Sequence, residues 1–125
     1  MTAVEVKREK VVERLRTAIE DEDVRREAFL ALASVISSEG NDVFLRCRAA
    51  HALSVFPRDM AVSVLVGLTR SEESALRFYG SRSLAYLCEQ GGFETLKTFL
   101  SHPSPAVRQL AETALSDARA HCGGE

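Results

Sequence analysis

The segment LRCRAAHAL, Leu45 to Leu53, decides the fold because its shape returns three more times in the chain. The variants are VRREAFLAL from Val24, LRFYGSRSL from Leu76 and VRQLAETAL from Val107, so copies begin at 24, 45, 76 and 107 and the intervals are 21, 31 and 31 residues. With the first aliphatic residue as zero, position +1 is Arg25, Arg46, Arg77 and Arg108. Position +4 is Ala28, Ala49, Gly80 and Ala111, and +7 is Ala31, Ala52, Ser83 and Ala114. Leucine fills +8 (Leu32, Leu53, Leu84, Leu115), and +11 is Val35, Phe56, Leu87 and Ala118. At about 100° per residue these apolar and small positions share one stripe, so each copy predicts an amphipathic helix. Small residues at +4 and +7 let a neighbouring helix approach closely, and the +8 leucine fills the gap beside it.

The starts of these helices are marked. Asp21, Asp42, Glu73 and Ser104 stand three residues ahead of the motif, and three of the four are good N-caps. Ser104 is followed by Pro105, whose missing N–H costs nothing in the first turn. Between the copies run shorter amphipathic stretches. DMAVSVLVGLTR lines up Val62, Leu65 and Leu68, and FETLKTFLSH lines up Phe93, Leu96 and Phe99. Turn signals fall at Gly40-Asn41, Pro57, SEES, Gly91-Gly92 and HPSP. A charged helix over 4–20, with Val11, Val12, Leu15, Ala18 and Ile19 as its apolar side, precedes them. The expectation is an all-α domain of about seven antiparallel helices and no strand. A period of this length signals an α-solenoid. Short turns make alternate helices share a layer, so the copies at 45, 76 and 107 fall in one layer and the copy at 24 in the other. The chain then divides into a capping helix 4–20, hairpins 21–56, 57–90 and 91–120, and a flexible tail 121–125.

A unit of about 30 residues whose second helix opens D/S-x-x-[VL]-R-x-x-A-x-x-A-L resembles the HEAT repeat of armadillo-like superhelices. Its nearest subtype is the short HEAT-like repeat of phycobilisome lyases. The resemblance covers roughly residues 21–120, and the copy from Leu76 departs from it at Gly80 and Ser83. It implies a scaffold that binds proteins along a groove. It also implies a rival role as a bilin-lyase-like or chaperone subunit acting with a partner.

Composition narrows the function. The 125 residues are 46% hydrophobic and 27% charged, with a net charge of −2; this suits one folded domain and offers no global attraction to nucleic acid or an anionic membrane. Arg46, Arg48, Arg58 and Arg70 against Asp59 form a local basic patch, which motivates nucleic-acid binding only as a weaker alternative. No apolar run is long enough to span a membrane. The N-terminus carries no hydrophobic signal region. The three cysteines, Cys47, Cys88 and Cys122, are odd in number and read as reduced thiols, for which the cytoplasm is the expected address.

Enzyme signatures are absent: there is no G-x-S-x-G, no phosphate-binding glycine loop and no H-E-x-x-H. The His-Glu dipeptides of the HEAT-like hydroxylase are absent too, as are the tryptophans used by the HEAT-like glycosylase. Cys47 and His51 share a helix face but are too few for a metal site, so neither metal nor cofactor is expected. His102 is assigned to a turn, and His121 and Cys122 to the solvated tail. The four motif arginines are expected to bond carbonyl or acidic groups at the adjacent turns. The groove is expected along +2, +6, +9 and +13: Cys47, His51, Ser54 and Arg58, then Phe78, Arg82, Ala85 and Glu89, then Gln109, Thr113, Ser116 and Ala120. An outward Phe78 beside Arg82, with Tyr79, Arg48 and His51, makes the candidate surface for a protein or peptide segment. The ends of the solenoid offer a route to homo-oligomers.

Overall fold

The computed structural model describes residues 13–123. Seven helices follow one another, with no strand among the described residues. They are α1 (13–18), α2 (Glu22–Ser37), α3 (Val43–Ala52), α4 (Arg58–Leu68), α5 (Ser74–Tyr86), α6 (Gln90–Thr98) and α7 (Pro105–His121). Single 3₁₀ turns, Leu53–Val55 and Phe99–Ser101, finish α3 and α6. The first part of the predicted 4–20 helix, including Val11 and Val12, lies outside the described residues.

The caps form where the sequence marks them. Asp21 Oδ1 accepts from the N–H groups of Asp23 and Val24 at 2.9 and 3.0 Å, and Asp42 Oδ1 from Phe44 and Leu45 at 2.7 and 3.4 Å. Ser104 Oγ accepts from Val107 N–H at 3.4 Å. Glu73 makes no side-chain cap, and Ser71 Oγ instead accepts the Glu73 N–H at 3.1 Å. Each bond satisfies a donor that a helix start leaves without an internal partner.

Helices α3, α5 and α7 pack in succession with α5 in the middle; α2 lies on α3, α4 on α5, and α6 on both α5 and α7. Two apolar clusters result. The first joins Ile19, Ile36, Cys47, Ala49, Ala50, Leu53, Phe56, Ala61, Leu65 and Leu68 with Leu76 and Leu84 of α5 and its cap residue Leu87. The second gathers Phe78, Ala85, Leu96, Phe99, Ala111, Ala114, Leu115 and Ala118. The copy in α2 is used differently from the others. Its +7 residue Ala31 is exposed, and burial centres on Ile36 with Phe29, Leu32 and Val35 packed beside it. Of the predicted apolar side of the first helix, Leu15 and Ile19 pack on the core and Ala18 is exposed.

The two departures in the third copy have structural causes. A Cβ at Gly80 would lie 2.5 Å from Leu68 Cβ, so glycine is what lets α4 approach α5. Ser83 is buried and its hydroxyl donates to Ala50 O at 2.8 Å, linking α5 to α3.

The expected flexible tail is corrected. α7 runs through His121, and Cys122 caps it and forms a disulfide with Cys88, Cα–Cα 5.7 Å. The expectation of three reduced thiols therefore fails for this pair, and Cys47 is the free, buried thiol. The cysteines are 34 residues apart, and only the packing of α7 on α5 brings them together.

Candidate functional site

The arginine at +1 lies in the first turn of each motif helix, within reach of the turn before it. Arg46 Nε donates to Ile36 O at 2.8 Å, Arg77 to Ser71 O at 2.8 Å, and Arg108 to His102 O and Pro103 O at 2.7 and 3.1 Å. These side chains satisfy carbonyls that the end of a helix or a turn leaves open. Arg25, half-buried in α2, makes no such bond to a described residue. Three of the four arginines are thus committed to holding turns. Arg77 also lies over the Phe99 ring at 5.6 Å.

The predicted groove stripe is corrected. Phe78 is 8% exposed, Ala85 0% and Cys47 4%, so none of them lines a surface. Phe78 packs edge-on to Tyr79 and Phe99, with ring centroids 5.3 Å apart in both pairs. The cause is the central position of α5. Its +2 and +9 side faces the next motif helix rather than solvent, and Cys47 of α3 is buried in the same way. In α7 those positions are Gln109 and Ser116, and both are exposed. That change from apolar to polar between copies was the signal in the sequence.

The open side of the motif helices lies about 60° further round, at −1, +3, +6 and +10. On α5 these positions are Ala75, Tyr79, Arg82 and Tyr86, all half-buried, and of the other α5 residues Ser74 and Arg77 alone, both in the first turn, are not fully buried. On α3 they are Phe44, Arg48, His51 and Val55, with Phe44 71% exposed. On α7 they are Ala106, Leu110, Thr113 and Asp117, all exposed. Four of the expected residues, Arg48, His51, Tyr79 and Arg82, therefore lie on one face, and Phe78 does not. Tyr86, Leu110 and Phe44 join them.

Arg82 sits over the Tyr86 ring at 5.8 Å, and Tyr86 in turn meets His121 of α7 with centroids 5.4 Å apart. Among the described residues the ion pair found is Arg58–Glu89, which joins the first residue of α4 to the cap of α6; Arg48 and Arg82 have no carboxylate within 4.0 Å. With Arg46 bonded to Ile36 and Arg58 to Glu89, the basic patch of 44–70 reduces to exposed Arg48 and Arg70.

The other candidates resolve locally. His102 Nδ1 accepts the Ser104 N–H at 3.0 Å, and its ring stacks on Phe99, so it shapes the entry to α7. Burial pushes the Cys47 thiol above its ordinary value, although the charge of Arg46 pulls the other way. No group of three or more metal-ligating side chains is present among the described residues. No described helix is long and apolar enough to cross a membrane. Comparison of the chain with models of protein families, with curated proteins and with solved structures finds no match.

Proposed function

We propose that this chain is a HEAT-like α-solenoid, non-enzymatic, that binds a protein segment across the open face of α3, α5 and α7. The observation that carries the reading is the single open stripe of α5. A helix covered on its other sides leaves Tyr79, Arg82 and Tyr86 half-exposed between Arg48 and His51 on one flank and Leu110 on the other. Aromatic and arginine side chains supply most of the energy of protein interfaces. Two guanidinium groups with no carboxylate at hand favour a segment carrying acidic residues beside apolar ones. The solenoid reading is supported by recurrence: arginine-to-carbonyl bonds repeat in three motif helices, and Arg58 and Glu89 pair across one 31-residue period.

The test is capture from native extract with the immobilised protein, wild type against Tyr79→Ala/Arg82→Ala. Gln109→Ala/Ser116→Ala, off the face, serves as control, and helicity is checked by circular dichroism. The captured species are expected to drop out for the first variant only. Equal capture by all three proteins would reject the face.

A further inference from the structure

We propose that the Cys88–Cys122 disulfide is a reversible redox latch on the last turn of α7. Burial along α7 stops at Ala118: Arg119, Ala120 and His121 are exposed, and Cys122 is half-buried. Past Ala118, the side-chain ties from α7 to α5 among the described residues are the disulfide, the approach of Cys122 Sγ to Ala85 O at 3.3 Å and the contact of His121 with Tyr86. Both cysteines stand beyond the ends of their helices, Cys88 after the cap residue Leu87 and Cys122 in the cap position itself. Cys122 caps α7. Cys88 follows α5 with a left-handed φ of 63°, and backbone bonds from Cys88 N to Ala85 O (2.9 Å) and Glu89 N to Leu84 O (3.0 Å) hold that turn. This is the Schellman pattern, and it depends on main-chain atoms alone. Opening the disulfide therefore leaves the end of α5 in place and releases the end of α7. The apolar anchors of α7, Ala111, Ala114, Leu115 and Ala118, belong to the second cluster and are expected to stay buried on reduction.

Access fits the chemistry. Cys88 is exposed, so a thiolate from a dithiol reductant attacks its Sγ and the Cys122 sulfur leaves as a thiolate. The second thiol of the reductant then displaces Cys88. The reductant ends as a disulfide and gives up two electrons, and the two cysteines take up those electrons and two protons. Cys47 stands apart, buried among α3 and its neighbours, and takes no part. Release of the last turn withdraws His121 from Tyr86, and so changes one margin of the open stripe. The latch itself does not depend on any partner being bound there.

Two measurements on the full chain test it. After denaturation, maleimide is expected to label one cysteine of the oxidised protein, Cys47, and all three after dithiothreitol. Amide hydrogen exchange of 119–122 is expected to rise about tenfold or more on reduction, while 111–118 stays protected, and to return with oxidised glutathione. The Cys88→Ser/Cys122→Ser variant is expected to exchange like the reduced protein in either buffer. Three labels on the oxidised protein would overturn the proposal. So would unchanged exchange at 119–122, or an equal rise along the whole of α7.

Discussion

Cys47 in α3 and Phe78 in α5 occupy the same motif position, and each is buried against the following motif helix. For Cys47 this has a consequence in pH. Burial raises its folded-state pKa, so above the ordinary thiol value the unfolded chain gives up a proton that the folded chain retains. The contribution of the neutral thiol is fully present below about pH 8.5 and is lost as pH rises from there through the folded value. The urea midpoint is expected to fall between pH 8 and pH 10, and to fall less in Cys47→Ala, which removes the titrating group. The outward orientation read for these two residues shows where periodicity stops being informative. An apolar stripe identifies a buried face, but it does not say that a middle helix has a second one. The polar Gln109 and Ser116 in the last copy carried that information, in the contrast between copies rather than in any one of them.

At the scale of the element, helix existence and caps were legible because both are local: Asp21, Asp42 and Ser104 accept the bonds their positions predict. Distances of approach between helices were not, and glycine sets one of them. A Cβ at Gly92 in α6 would collide with the backbone nitrogen of Ala85 and lie 2.7 Å from Leu84 Cβ, whereas one at Gly91 meets nothing within 4 Å. Backbone cannot yield as a flexible side chain can. Gly92→Ala is therefore expected to destabilise by about 1–3 kcal/mol, since it forces α6 away from α5. Gly91→Ala, which adds a better helix former in open space, is expected to stabilise by about 0.4–1 kcal/mol. Denaturant midpoints for the pair of variants, with opposite signs, check the packing of α6 on α5 directly.

At the scale of the molecule, the order of helices follows from the repeat, but which helix ends meet does not. Nothing in the spacing of Cys88 and Cys122 pairs them; their proximity follows from α7 lying along α5. A crosslink closing a loop of this length contributes about 4 kcal/mol by the chain-entropy account. The two apolar clusters give that number a setting. One takes Leu76 and Leu84 from α5, the other Phe78 and Ala85, so the two halves of the interior meet along a single helix that belongs to both. A molecule built this way has a natural line of cleavage in its cooperativity. Heat can detach α6 and α7 from α5 while the larger cluster holds, unless the crosslink fastens them. Calorimetry of the reduced protein is expected to resolve two transitions, the lower one moving up toward the higher on oxidation. A single transition, unmoved by dithiothreitol, would mean that α5 transmits unfolding across its whole width.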